Sequence, residues 1–176
     1  MKCLMVLLLA GNVSLALHAA DSKPGADTLG RWVGGNWVGN GTLMDSDYSK
    51  AMKVGGVTTC AWSPDHIFVI CDQAVKANDK PGRELSLYGY DPEAGKFHFY
   101  GLSPSEATPR TPELVISGDG NRWEYLSTET IKGKSVRFRT VNIFRDADHV
   151  EWWSDYSADG GEHWTKMGQG TESRQQ

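Results

Sequence analysis

From about residue 29 onward the chain alternates apolar and polar residues in short runs bounded by turn-forming residues, and hardly anywhere repeats apolar positions at helical spacing. A period of two sends successive side chains to opposite faces of an extended strand, so the pattern predicts β structure throughout. In Phe97-His98-Phe99-Tyr100 the two phenylalanines share one face, and His98 and Tyr100 share the other. Strands are expected near 53–62, 66–73, 84–90, 96–102, 113–118, 121–128, 134–145, 148–157 and 162–170, and a glycine-rich first strand within 29–43 makes ten. In the eighth, Val136 and Phe138 share a face before the apolar positions move to Val141 and Ile143, a one-place slip that predicts a bulge near Thr140. Adjacent Trp152 and Trp153 must point to opposite faces.

The connections 91–95, 118–121, 131–134, 146–148 and 157–161 are rich in Asp, Asn and Gly, residues that tolerate hairpin dihedrals. Short antiparallel strands without crossover helices predict an all-β, up-and-down meander closed into a barrel, because closure removes the edges that an open sheet would expose. A β-sandwich is the alternative. The longest irregular stretches are 103–112, with three prolines, and 74–82; either would suit a cover over an opening.

One stretch breaks the alternation. Met1-Lys2 is followed by an apolar run from Cys3 to Ala10, which continues through Val13, Leu15, Ala16 and Leu17 to small residues at Ala19 and Ala20 and then turns polar at Asp21. That is the form of a cleavable export signal, removed after Ala19 or Ala20. Asn12, Ser14 and His18 interrupt the roughly 20 apolar residues that a membrane anchor needs. The expected organisation is a signal over 1–19, a flexible lead-in over 20–28, one barrel domain over 29–170 and a polar tail over 171–176, in a periplasmic or secreted protein.

Loss of Lys2 with the signal moves the formal net charge from −4 to −5. A mildly acidic chain without a Lys/Arg run lacks the field that dominates nucleic-acid binding, and has no polybasic stretch for anionic lipid. Export also bears on the cysteines. Cys3 leaves with the signal, and Cys60 and Cys71 remain as an even pair in a compartment where bridges persist. They flank a Ser-Pro-Asp turn; if the register sets 60 opposite 71 they can bridge, contributing about 3 kcal/mol by loop entropy, whereas a tighter turn would leave them diagonal.

Gly35-Asn36-Trp37 resembles the Gly-x-Trp signature that opens lipocalins. A longer pattern runs through Leu29, Trp32-Val33-Gly34, Trp37-Val38-Gly39-Asn40-Gly41, Thr59-Cys60-Ala61-Trp62-Ser63, Cys71, Tyr88-Gly89-Tyr90-Asp91-Pro92 and Ser157-Ala158-Asp159-Gly160-Gly161 before Trp164. Over roughly 28–170 it is similar to the bacterial domain-of-unknown-function family 1579. That resemblance implies a lipocalin-like or fatty-acid-binding-protein-like barrel, with Gly35 and Trp37 as structural residues, and no established reaction. The Thr-Asp-Tyr element of true lipocalins is absent. The glycine- and tryptophan-rich first strand is also similar to that of haem-binding nitrobindin-type barrels, which would require an iron ligand among His66, His98, His149 and His163.

The remaining motifs point mainly to folding. Ser157-x-Asp159-x-Gly161-x-x-Trp164 matches the Asp-box hairpin, in which the acid accepts turn amides and the indole packs beneath; one copy excludes the propeller that repeats it. Asp146, Asp148, His149 and Glu151, or Asp45 and Asp47, lack the spacing of a metal loop, so no metal or other cofactor is expected. Arg137 and Arg139 share a strand face; inside a barrel they would hold a ligand carboxylate, and outside they would be solvated charges. With His98 and Tyr100 they are the ligand-binding candidates. Hydrolase, metalloprotease and phosphate-loop motifs are absent, so the expectation is a non-enzymatic barrel that takes a small apolar ligand as carrier or sensor. A protein-interaction module using an exposed aromatic patch is the alternative class.

Overall fold

The computed structural model describes residues 24–176, so the signal segment lies outside the described residues. A single short 3-10 helix, Ala26–Trp32, leads into ten strands: β1 (Asn36–Leu43), β2 (Met52–Trp62), β3 (Phe68–Ala77), β4 (Lys80–Asp91), β5 (Lys96–Leu102), β6 (Glu113–Ile116), β7 (Arg122–Ile131), β8 (Lys134–Phe144), β9 (His149–Ser157) and β10 (Thr165–Gln175). Each strand pairs antiparallel with its sequence neighbour, and β1 pairs with β10 to close the barrel.

Three expectations are corrected. The stretch 74–82 is not an irregular cover: β3 and β4 run on to a two-residue hairpin in which Asn78 and Asp79 both take positive φ (46° and 63°), the conformation of a type I′ turn. The polar tail 171–176 is strand as far as Gln175, because pairs from Thr171↔Asn40 to Gln175↔Asn36 are what join the last strand to the first. The bulge near Thr140 is absent, since β8 pairs without interruption from Arg137 to Phe144; the register shift falls instead in β10, between Lys166 and Gly168. The apolar slip in β8 has another cause. Val141 faces outward but lies opposite Trp153, which covers it, so both faces of that strand bury apolar side chains.

Cys60 sits directly opposite Cys71, and the two form a disulfide. The turn that aligns them uses a device seen twice. Ser63 Oγ donates to Asp65 and accepts from the Phe68 amide at 3.0 Å, and Ser117 Oγ donates to Asp119 and accepts from the Arg122 amide at 3.0 Å. Both turns carry a left-handed residue in fourth place, His66 (φ 57°) and Gly120 (φ 70°). At the Asp-box, Ser157 Oγ again donates to an acid two residues on, Asp159, and accepts from the Gly161 amide.

The end of the barrel under the 3-10 helix is closed by aromatic packing. Trp32 meets Trp37, Trp123 and Phe144 with ring centroids 5.1, 6.1 and 4.9 Å away. Leu29, Trp37 and Trp123 have no solvent-accessible surface. Two of the indoles bond within this end: the Trp37 N–H donates to the Trp32 carbonyl at 2.9 Å and the Trp123 N–H to the Gly120 carbonyl at 3.0 Å. Gly35 enters β1 at φ +69°, and a side chain there would run into the Gln175 carbonyl at 2.7 Å. The opposite end is loosely made. β5 and β6 share a single ladder pair, Phe97↔Leu114, with one more bridge at Gly101↔Arg110.

Candidate functional site: the barrel interior

Above the aromatic floor the barrel is not filled by side chains. A cavity of about 940 Å3 extends from Trp32 to the loop 106–112, which lies over the weak β5–β6 seam. This loop is part of the proline-rich connection, and Arg110 holds it: the backbone pairs with Gly101, and the guanidinium bridges Glu84 on β4 and Glu106 on the loop itself.

Strand alternation decides the lining. Tyr88, Phe99, Tyr125, Phe138 and Trp152 supply aromatic surface, while Thr58, Gln73, Glu84, Ser86, Thr140, Asn142 and Glu172 supply polar groups. Trp152 reaches in across β1 and β10 because those strands have no side chain beneath it. A Cβ on Gly41 would come within 2.3 Å of the indole, and one on Gly170 within 2.6 Å. Tyr88 and Tyr125 approach hydroxyl to hydroxyl at 3.3 Å, and Phe99 lies edge-on to both rings at 5.1 Å. Burial pushes both phenols' pKa upward, so they stay neutral hydrogen-bonding groups.

Glu172 lies opposite Gly39, two residues from the Arg174 that covers Trp37, and so at the foot of the cavity. Its accessible surface faces the cavity, and the surrounding protein desolvates it enough to raise its pKa from 4.5 to about 7. Among the described residues no cation contributes to that shift, and Arg174 is turned away toward the carbonyls of Arg31, Val33 and Ala147 and the carboxylate of Asp148.

The residues expected to bind ligand lie elsewhere. His98 and Tyr100 are on the outer face of β5, a correction that follows from the same alternation that turns Phe97 and Phe99 inward. Arg137 and Arg139 are also outside. Arg139 pairs with Asp155 at 2.7 Å and lies 4.2 Å over the ring of Trp164, while Arg137 donates to the Gly160 carbonyl at 2.9 Å. The Asp-box residues Ser157, Asp159, Gly161 and Trp164 thus form a folded corner on the barrel exterior, where Asp159 accepts from the His163 amide at 3.0 Å. None of His66, His98, His149 and His163 lines the cavity, so a haem within it would find no histidine ligand among them. Asp159, Glu162 and His163 come together on the surface as an exposed group.

The sequence pattern does not single out Glu172, Tyr88, Tyr125 and Trp152 as lining residues. For Tyr88 and Tyr125 the signal was present in the period-two pattern of β4 and β7; for Glu172 it was masked by its place in a polar, glycine-rich stretch that reads as a tail.

A closed ten-stranded meander with an internal cavity defines a barrel of the lipocalin/calycin kind. Two solved structures share the architecture: Rv2717c from M. tuberculosis, 15% identical over 88% of this chain and 99% of that one with TM-score 0.59, and the S-type phycobiliprotein lyase CPES from Guillardia theta, 12% identical over 89% and 96% with TM-score 0.53. No family model and no curated protein matches the chain. Among the described residues no helix is long and apolar enough to cross a membrane.

Proposed function

We propose that the barrel binds one small molecule in its cavity and acts as a carrier or sensor. The observation that carries this reading is the unfilled 940 Å3 interior with aromatic walls and a few convergent polar groups, the composition of a ligand pocket. The polar groups narrow the ligand. A purely apolar molecule would leave Gln73, Asn142 and Glu172 facing hydrocarbon, so the ligand combines an apolar body with hydrogen-bonding groups. One structural neighbour is by its name a lyase acting on phycobiliproteins; a shared fold does not transfer a reaction, and the absence of hydrolase motifs favours binding without catalysis here. Membership of the domain-of-unknown-function family 1579, on the pattern from Leu29 to Trp164, and export by the N-terminal segment belong to the same proposal. The Cys60–Cys71 bridge supports an oxidising compartment.

An environment-sensitive naphthalene dye should bind saturably at one site per chain, and native mass spectrometry of protein from its own host should retain a ligand. Weak adsorption without saturation would overturn the reading. A second reading has its own observation: Val57, Ile70, Leu85, Tyr100 and Leu102 stand exposed on the outer face of β2 to β5, a surface suited to a protein partner. Its signature is loss of partner capture on Ile70→Lys with dye binding unchanged.

A further inference from the structure

Among the described residues Glu172 has no hydrogen-bonding or charged partner, and the protein around it desolvates its carboxylate. It lies toward the foot of the cavity, one inward position along β10 from the Gly170 over which Trp152 packs, and Tyr88 and Tyr125 line the same cavity. Its charge raises the pKa values of both phenols further, beyond the effect of burial. Carboxylates in such surroundings are ordinarily paired, because an isolated buried charge is costly. The cations that could serve are committed elsewhere. Arg174 is spent on the carbonyls and aspartate at the closed end, and Arg110 on Glu84 and Glu106 at the mouth. Among the described residues, the remaining titratable groups lining the cavity are Tyr88 and Tyr125, held neutral, and Glu129 near the mouth.

We propose that the cavity takes a ligand carrying a protonated amine on an aromatic or other flat apolar body, with Glu172 holding the amine. This rests on the cavity reading above and specifies its ligand class. The carboxylate would accept the ammonium hydrogen bonds, and the faces of Tyr88, Tyr125 and Trp152 offer a cation the quadrupolar attraction of aromatic rings. A divalent metal is a poorer occupant, because it needs several oxygen ligands and the other acids lining the cavity sit toward the mouth, two of them paired with Arg110. An anionic ligand would meet Glu172 as a like charge.

The test uses three probes with one fluorescent body: dansylcadaverine, its N-acetyl derivative, which is larger by one acetyl group and uncharged, and dansyl-6-aminohexanoate, which reverses the charge. At pH 8 the purified protein should bind dansylcadaverine at least tenfold more tightly than the N-acetyl probe, and the hexanoate most weakly. In Glu172→Gln the amine and N-acetyl probes should bind within twofold of each other, at the affinity of the N-acetyl probe for wild type. Lowering the pH through about 7 should erode the amine preference of wild type, as the carboxylate takes up a proton, and leave the variant unchanged. Equal affinities in wild type, or a preference that survives in Glu172→Gln, overturn the amine assignment, while saturable binding of the N-acetyl probe keeps the cavity reading intact. If no probe binds saturably, both fall.

Discussion

The guanidinium of Arg174 lies over the ring of Trp37 with its central carbon 4.5 Å from the ring centroid, and its N–H groups donate to the carbonyls of Arg31 and Val33 in the lead-in. One side chain from the last strand thus locks the first strand and the 3-10 helix into a closed end. Deleting residues 171–176 removes this clamp, Glu172 and five of the eight pairs of the β1–β10 ladder. The truncated protein should fail to fold cooperatively, which circular dichroism and a thermal melt would show as the loss of a single sharp transition.

Trp37 is fully buried, and its N–H donates to the Trp32 carbonyl. Trp37→Ala should cost about 3 to 5 kcal/mol, the range for deleting a buried large aromatic. Trp153 sits on the outer face with its N–H on Asp155 at 3.1 Å and the Arg122 side chain over its ring, so Trp153→Ala, which uncovers Val141 and removes one donor from Asp155, should cost less, about 2 kcal/mol. Chemical denaturation of the two variants measures the contrast. Equal losses would contradict the assignment of Trp37 to the floor.

The desolvated Glu172 makes stability depend on pH in a defined direction. Its folded-state pKa of about 7 exceeds the ordinary 4.5, so the native state holds the proton more tightly than the unfolded chain. Its contribution is most favourable below about pH 4.5 and is lost as the pH rises through 7. Glu172→Gln should therefore match wild type near pH 4 and be more stable at pH 8, by up to roughly 3 kcal/mol. Urea midpoints at the two pH values decide it; a variant no more stable at pH 8 would show the carboxylate to be solvated.

Cys60 and Cys71 are bonded, so protein produced from residue 20 onward should, denatured and unreduced, show no reactive thiol by titration. Cys60→Ser combined with Cys71→Ser should lower stability by about 3 kcal/mol, the loop-closure contribution of a bridge this short. Two reactive thiols in the unreduced protein would refute the bridge.

Arg110 is the clasp of the mouth loop, joined to Glu84 and Glu106 on a half-exposed surface. Exposed ion pairs contribute little to folding, so Arg110→Ala should change the melting temperature by no more than a few degrees. Release of a bound dye in stopped-flow should quicken several-fold as the loop over the β5–β6 seam loosens. Unchanged release would place the ligand's exit elsewhere.

The amino-acid sequence by itself determined what depends on neighbours in the chain. Period-two patterning in segments such as Phe97-His98-Phe99-Tyr100 set the strands, Asp- and Gly-rich connections set the hairpins, and ten such strands without crossover helices set a meander that must close. What crosses the barrel was not legible. Alternation separates two faces without saying which is inside, and only closure turned His98 and Tyr100 outward and Tyr88 and Tyr125 inward. Thr171 to Gln175 carry no strand-forming pattern of their own, and became strand because β1 offered an unpaired edge. Glu172 acquired its raised pKa in the same way: its neighbours in sequence are polar, and its desolvation comes from residues brought around it by the fold.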